Sequence, residues 1–340
     1  MIDRQIAIIH FLNATEWRDA QRVTVAGDAS NRRYDRLTKS DGSTAIFMDA
    51  PPDKGEDIRP FVHIAQHLTS IGLNAPDVFA KDEARGFLIL EDLGDDLFAC
   101  VLEHTPDLET KLYEAAVDVL THLHKAPCPP LIPYDTDAMT VLAALPYDWY
   151  IWGATGQKNA ANAKAFMVKF RALLAPLADA PQVLIQRDYH AENLLWMPQR
   201  DGVEKVGLLD FQDAMSGHPA YDLVSILQDA RRDVSPDVQT AMKARYIAQN
   251  ELNVADFDTA YALLGLQRNM RILGVFARLC MRDGKAHYVD FIPRVWAHIE
   301  TNLAHAALSS IAEMVSDDLP YPDENILTGL KEKCATIPHP

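Results

Sequence analysis

The chain has 340 residues, with 32 Lys and Arg against 48 Asp and Glu for a formal net charge of −16. It is too long for one small module and suits two lobes at roughly 150 residues per domain. The acidity disfavours a general nucleic-acid binder and a polybasic membrane-surface protein, both of which need a basic face, while 48% hydrophobic and 24% charged residues are ordinary globular composition.

Cys100, Cys128, Cys280 and Cys334 are widely spaced and form no CxxC pair, so they read as reduced thiols of a cytosolic protein. The N-terminus carries Asp3 and no long apolar core, unlike a signal peptide. No run approaches 18 apolar residues, the length a membrane span requires. The expectation is a soluble cytoplasmic protein with no nucleic-acid, membrane or obligate protein partner.

In chain order, Ile2, Ile6, Ile9 and Leu12 predict a short amphipathic helix. Strand-like runs follow at 22–26, 33–37 and 44–48, separated by polar turns, as in an antiparallel meander. Residues 56–70 predict a helix with Ile58, Phe61, Ile64, Ala65 and Leu68 on one face and Gly72 beyond its end. Two more strands, 77–80 and 86–90, lead into Glu91-Asp92-Leu93-Gly94. From Leu97 the pattern turns helical, notably over 108–123 and 163–174, then again from Tyr221 to the C-terminus. The fold class expected is α+β: an N-terminal lobe of small sheet and one main helix, 1–93, and a mainly helical C-terminal lobe, 94–340. Residues 1–92 hold 11 basic and 15 acidic side chains, leaving −12 of the charge to 93–340. Within the first part, Arg32, Arg33 and Arg36 cluster where they could face phosphate.

The chemistry-bearing segment is VLIQRDYHAENLLWMPQRDGVEKVGLLDFQDA. An apolar run, 183–185, delivers a loop with Asp188 and Asn193. A hairpin of two further runs then delivers Asp210-Phe211. Three oxygen-bearing side chains are thereby expected to converge. Phosphoryl transfer needs such a set: a carboxylate to take the proton of the attacking hydroxyl, and hard oxygens to hold Mg²⁺ across the nucleotide phosphates. An Asn five residues after the loop Asp, followed by Asp-Phe, matches the kinase template. The competing readings are a turn residue with a cap, and a metal hydrolase using His190. The latter lacks a second His at ligand spacing, and His190, like His122 and His124, reads as structural.

QRDYHAENLL, LLDFQD and YDLVSIL resemble the catalytic core of the aminoglycoside phosphotransferase/choline kinase-like family, which has a bilobal protein kinase-like fold. GDASNRRY, MDAPPDKGED, GFLILEDLG, LQRNMRILGVFARL and RDGKAHY are similar to one branch of it, the anomeric kinases for N-acetylmuramate and N-acetylglucosamine of bacterial cell-wall recycling. The resemblance implies an ATP- and Mg²⁺-dependent sugar kinase acting on a small amino sugar. It makes Asp188 the catalytic base and Asn193 and Asp210 the metal ligands. Gly27, Asp28, Ala29, Ser30 and Arg33 would cover the phosphates, and the backbone of Glu91 to Leu93 would meet adenine. Asp222, at a helix start, would brace the catalytic loop.

Two positions depart from the family pattern. Gln186 stands where the loop usually begins with His, and Met48 where a phosphate-binding Lys is expected. Arg33 or Lys54 is then the candidate replacement cation, and a catalytically weak pseudokinase stays open. Sugar sites combine aromatic platforms with polar clamps, which makes Asp148, Trp149 and Trp152 candidate substrate residues. Arg268, Asn269 and Arg271 are further candidates, for a sugar hydroxyl or the lactyl carboxylate of N-acetylmuramate. An aminoglycoside or other small-alcohol kinase is the nearest rival, since an acidic second part suits a cationic substrate.

Overall fold

The first apolar run does form a helix, α1 (Arg4–Asn13), but on another face from the one expected. Ala7, Ile8, Phe11 and Leu12 are buried, whereas Ile6 and Ile9 are 48% and 53% exposed. The i, i+3/i+4 pattern admits both stripes, and the aromatic stripe prevails because Phe11 packs on Phe47 and Phe87 with ring centroids 6.1 and 5.5 Å apart. The structure is a computed structural model and describes residues 4–25 and 31–338. Strands β1 (Gln21–Thr24), β2 (Arg33–Thr38), β3 (Thr44–Asp49), β4 (Val78–Asp82) and β5 (Phe87–Glu91) form one antiparallel sheet in the order β1-β2-β3-β5-β4. Alternation along β3 sends Ala45 and Phe47 into the α1 cluster and Ile46 and Met48 to the opposite face. Helix α2 (Arg59–Ser70) follows β3 and buries Phe61, Val62, Ile64, Ala65 and Leu68. Gly72, at φ +80°, closes it while Leu73 N–H donates to the Leu68 carbonyl, the six-to-one bond of a Schellman end.

The chain forms two compact units, 1–129 with 192–214 and 130–191 with 215–340, where the sequence suggested one boundary near Gly94. The first unit adds α3 (Phe98–His104), α4 (Glu109–Lys125) and the antiparallel hairpin β7 (Leu194–Trp196) and β8 (Val206–Leu208) to the sheet. The second holds β6 (Val183–Ile185) paired antiparallel with β9 (Met215–Gly217). Its helices are α5 (Thr136–Ala143), α6 (Leu145–Asp148), α7 (Tyr150–Thr155), α8 (Ala160–Leu174), α9 (Ala220–Leu227), α10 (Pro236–Gln249), α11 (Val254–Met281), α12 (Ile292–Leu303), α13 (Ser309–Asp318) and α14 (Glu324–Glu332). Among the described residues no helix is long and apolar enough to cross a membrane.

Helix α11 is the spine of the second unit, packing against α5, α6, α9 and α12. Its approach to α6 depends on Gly274, where an added Cβ would come 2.5 Å from Leu145 Cβ and 2.6 Å from the Leu145 carbonyl carbon. Alanine gains about 1 kcal/mol in helix propensity, but a backbone clash of this depth costs more, roughly 2–4 kcal/mol. Gly274→Ala is therefore expected to lower the melting temperature by several degrees, as thermal unfolding followed by circular dichroism will show; an unchanged or raised value contradicts the packing.

His218 joins β9 to α9, and its Nδ1 accepts the Ala220 N–H at 3.1 Å, so the ring is held neutral. Burial pushes its pKa down to about 4. The unfolded chain, with an ordinary value near 6.5, then takes up the proton first, so this stability is present above pH 6.5 and lost as pH falls toward 4. Asn can also accept from Ala220 but does not titrate. His218→Asn should lose less melting temperature than the wild type between pH 7 and 4.5, a difference on the order of 1–2 kcal/mol; parallel curves would contradict the assignment.

Candidate active site

In the first unit, the sheet and the hairpin line a single cavity of about 430 Å³. Its apolar wall includes Ile46, Leu90, Leu195 and Leu209, which suits a flat heterocycle better than a charged group. Strand register explains the arrangement: Arg36 faces Ile46 across β2–β3, and Ile46 faces Leu90 across β3–β5. Glu91, Asp92, Leu93 and Gly94 form one side, as β5 runs out of the sheet. The Glu91 carboxylate is occupied, taking Arg200 Nη2 at 2.6 Å and the Asp77 N–H at 3.3 Å, while its own N–H donates to the Asp77 carbonyl at 2.8 Å.

Asn193 and Asp210 lie on the same cavity. Leu194 pairs with Leu208 in the hairpin, and the next rung is closed by Leu209 N–H donating to the Asn193 carbonyl at 3.0 Å. The two polar side chains thus stand at one end of the β7–β8 ladder, with Asn193 Nδ2 donating to Asp210 Oδ2 at 3.4 Å. Gln212 Nε2 donates to the other carboxylate oxygen at 2.6 Å. Asp210 adopts φ +56°, a left-handed conformation that Asp tolerates better than most residues but that still costs energy. A carboxylate beside an amide, both hard-oxygen donors, fits Mg²⁺, which takes few protein ligands and keeps waters. Among the described residues no three His, Cys, Asp or Glu side chains gather as a dedicated metal cage.

The three arginines that could have faced phosphate are all paired with acids. Arg32 Nε donates to Glu56 at 2.8 Å, with both side chains nearly buried. Arg33 Nε donates to Asp35 at 3.0 Å and lies outside the cavity lining. Arg36 lines it, clamped by Asp92 at 2.7 Å and Asp95 at 2.8 Å, bonds that raise its pKa above the usual arginine range. Lys54 is exposed, and Met48 is fully buried. Asp57 accepts the Arg59 N–H at 2.9 Å at the start of α2, while Glu56 serves Arg32. Gly27, Asp28, Ala29 and Ser30 lie outside the described residues.

Asp188 belongs to the second unit, on the loop leaving β6. The fully buried Asp222, at the start of α9, accepts the Gln186 N–H at 2.6 Å and the Arg187 N–H at 2.9 Å. Ser225 Oγ donates to the Arg187 carbonyl at 3.2 Å. Residues 186 and 187 are thereby fixed from both sides immediately before Asp188, with Arg187 forced to φ +71°. Asp229 accepts the Ala191 N–H at 3.4 Å and holds the far end of the loop. Burial alone raises the Asp188 pKa, but Arg271, His190, Arg268 and Arg187 together outweigh it and hold the carboxylate below its ordinary value. His190 is buried against Arg231 Nη1 at 3.2 Å, and burial pushes it down to about 4. It is neutral at physiological pH.

The remaining candidates scatter. Asp148 is exposed, Trp149 and Trp152 are half-buried, and the neighbouring Tyr147 and Tyr150 are buried with hydroxyls on Asp318 and the Pro320 carbonyl. Asn269 is fully buried, its amide nitrogen bonded to Gln228 at 2.7 Å and the Gly265 carbonyl at 2.9 Å. Arg268 is buried and Arg271 half-buried on the same helix. Sequence reasoning missed Gln212, Asp229 and the Arg36 clamp. Gln212, two residues after Asp210, could have been suspected from spacing; Asp229 and the clamp depend on long-range partners.

Residues 22–261 match the phosphotransferase enzyme family (APH). The N-acetylmuramate/N-acetylglucosamine kinase of Caulobacter vibrioides is 40% identical over 347 residues, covering 91% of this chain and 95% of the relative. Choline kinase LicA from Streptococcus pneumoniae shares the fold with a TM-score of 0.61 at 13% identity, over 87% of this chain and 99% of that one. A GDP complex of aminoglycoside 2'-phosphotransferase-IIIa gives 0.60 at 14% identity, over 89% and 99%. The α+β arrangement is accordingly kinase-like, and the chain belongs to the phosphotransferase enzyme family.

Proposed function

We propose that the protein transfers the γ-phosphoryl group of ATP to the anomeric hydroxyl of N-acetylmuramate, N-acetylglucosamine or both, in cytoplasmic recycling of cell-wall sugars. The observation that carries the nucleotide half is the single cavity lined by both Glu91–Leu93 and the Asn193–Asp210 pair. In this reading the apolar wall takes adenine, the backbone from Glu91 to Leu93 meets its edge, and Asn193 and Asp210 hold Mg²⁺. The bound ion supplies charge neutralisation on the phosphates. The acceptor half rests on the relative from Caulobacter vibrioides, similar over nearly the full length of both chains, together with the branch motifs of the sequence. The functional lobes proposed are 1–93 for nucleotide and 94–340 for catalysis and acceptor, with Asp148, Trp149 and Trp152 as acceptor platform.

Asp188 orients the anomeric hydroxyl and accepts its proton. The sugar oxygen forms a bond to the γ-phosphorus while the bond from that phosphorus to the β–γ bridging oxygen breaks, and ADP leaves with the electron pair. An ionised carboxylate suits this role, and the arginines around Asp188 favour ionisation. A second reading, an aminoglycoside or other small-alcohol kinase, draws on the −12 charge of residues 93–340. A third, a nucleotide-binding pseudokinase, draws on Met48.

The test is ADP release with Mg-ATP across a panel of N-acetylmuramate, N-acetylglucosamine, choline and aminoglycosides. Turnover with the N-acetylated sugars is expected; turnover with aminoglycosides alone, or ATP binding without any transfer, would sink the proposal. Asp188→Asn should lower kcat by about 10²- to 10⁴-fold while the melting temperature holds, and wild-type turnover in that variant contradicts its role as base. Asn193→Ala should raise the Mg²⁺ concentration needed for half-maximal rate; an unchanged requirement argues against Asn193 as a metal ligand.

A further inference from the structure

Helix α11 carries two arginines three residues apart, Arg268 and Arg271, which share one face of a largely apolar helix. Both act on Asp188, and Arg271 is the strongest of the charged groups around it. Their position is fixed by contacts. Arg271 Nη1 reaches the Tyr221 hydroxyl at 3.5 Å, and Tyr221 precedes Asp222, the residue that holds the backbone just before Asp188. Tyr221 also meets Tyr134 edge-on at 5.1 Å, and the Arg187 guanidinium lies 5.7 Å from the Tyr134 ring centre. Arg268 Nη1 touches the Gln228 carbonyl at 3.5 Å.

These bonds leave most of the two guanidinium forks unused. Arg268 is 3% exposed, yet its Nε has no hydrogen-bond partner among the described residues. No carboxylate lies within ion-pair distance of either arginine among the described residues, although Arg32, Arg36 and Arg294 all have one. Burying guanidinium charge without an ion pair is unfavourable unless something compensates it. Asp188 compensates in part. Asp229 also acts on Arg268, and Arg268 on Asp222, although both acids bond backbone N–H groups, Asp222 those of Gln186 and Arg187 and Asp229 those of Ala191 and Arg231. Of the acids, only Asp188 acts on Arg271. Arg271 is half-buried where Arg268 is closed off, and its one hydrogen bond among the described residues is that from Nη1 to Tyr221.

We propose that Arg271, with Arg268 buried behind it, binds a carboxylate on the acceptor and makes the site selective for an acidic amino sugar. The inference rests on the sugar-kinase reading and deepens it. Among the acceptors considered, N-acetylmuramate has a carboxylate, on its lactyl ether, and N-acetylglucosamine does not. A guanidinium fork matches carboxylate geometry with two parallel bonds. Two other roles compete: keeping Asp188 ionised, and binding the ATP phosphates. Both would act alike on every acceptor, whereas carboxylate binding acts only on the acid.

The experiment compares kcat/KM for N-acetylmuramate, its methyl ester and N-acetylglucosamine in the wild type, Arg271→Gln and Arg271→Lys. The ratio of acid to ester should fall roughly 10- to 100-fold in Arg271→Gln, mainly through KM, and recover partly in Arg271→Lys. An unchanged ratio overturns the inference, even if all three sugars lose activity together. Calorimetric dissociation constants for acid and ester read the same ratio without turnover. Failure of the kinase reading shows separately, as a wild type that phosphorylates none of the three sugars.

Discussion

One buried carboxylate sets the geometry of the catalytic loop. Asp222 accepts two consecutive backbone N–H groups, from Gln186 and Arg187, and so fixes the peptide planes that aim Asp188. The constraint is under tension. Burial pushes Asp222 up to about 7 against the stabilising pull of those same N–H donors, and Arg187 is held in a left-handed conformation. Removing the acceptor would strand two buried N–H groups, at about 1–3 kcal/mol each, and release the turn. Everything proposed for Asp188, including its arginine surroundings, depends on that turn being rigid.

The charge distribution acquires a different meaning from the one its total suggests. The three N-terminal arginines form no open anion patch, because Arg32, Arg33 and Arg36 each hold an acid. Acids elsewhere are used as acceptors for backbone N–H groups, as with Asp57, Asp222 and Asp229. The positive charge that bears on chemistry sits instead on α11, beside Asp188. There it favours the ionised form of the proposed base, and there the carboxylate of an acidic acceptor is proposed to bind. Met48 fits this redistribution: its strand position is fully buried, where an unpaired Lys would pay heavily for desolvation.

Much of the fold was legible because it follows from local rules. Five strands and the α2 helix with its Gly72 end came from alternation, periodicity and turn residues. The Asp188–Asn193–Asp210 spacing was legible too, since a strand, a loop and a hairpin fix where Asn193 and Asp210 emerge. The face of α1 was misread because Ile6 and Ile9 satisfy the same period as Ile8 and Phe11. Only the aromatic partners Phe47 and Phe87, decades of residues away, decide between them. The Arg36 clamp and the Arg32–Glu56 pair were hidden for the same reason: partners 56, 59 and 24 residues distant leave no local signature. The cut between compact units also departs from the sheet-to-helix change near Gly94, because α3 and α4 pack with the β7–β8 hairpin and all of these fall in one unit with the sheet.

The central claim is that the phosphoryl group goes to the anomeric oxygen of the sugar. Proton-coupled phosphorus NMR of the product formed from N-acetylglucosamine and Mg-ATP tests it most directly. One phosphomonoester signal, split by the single anomeric proton, is expected. A signal split instead by the two methylene protons at C6 would contradict it.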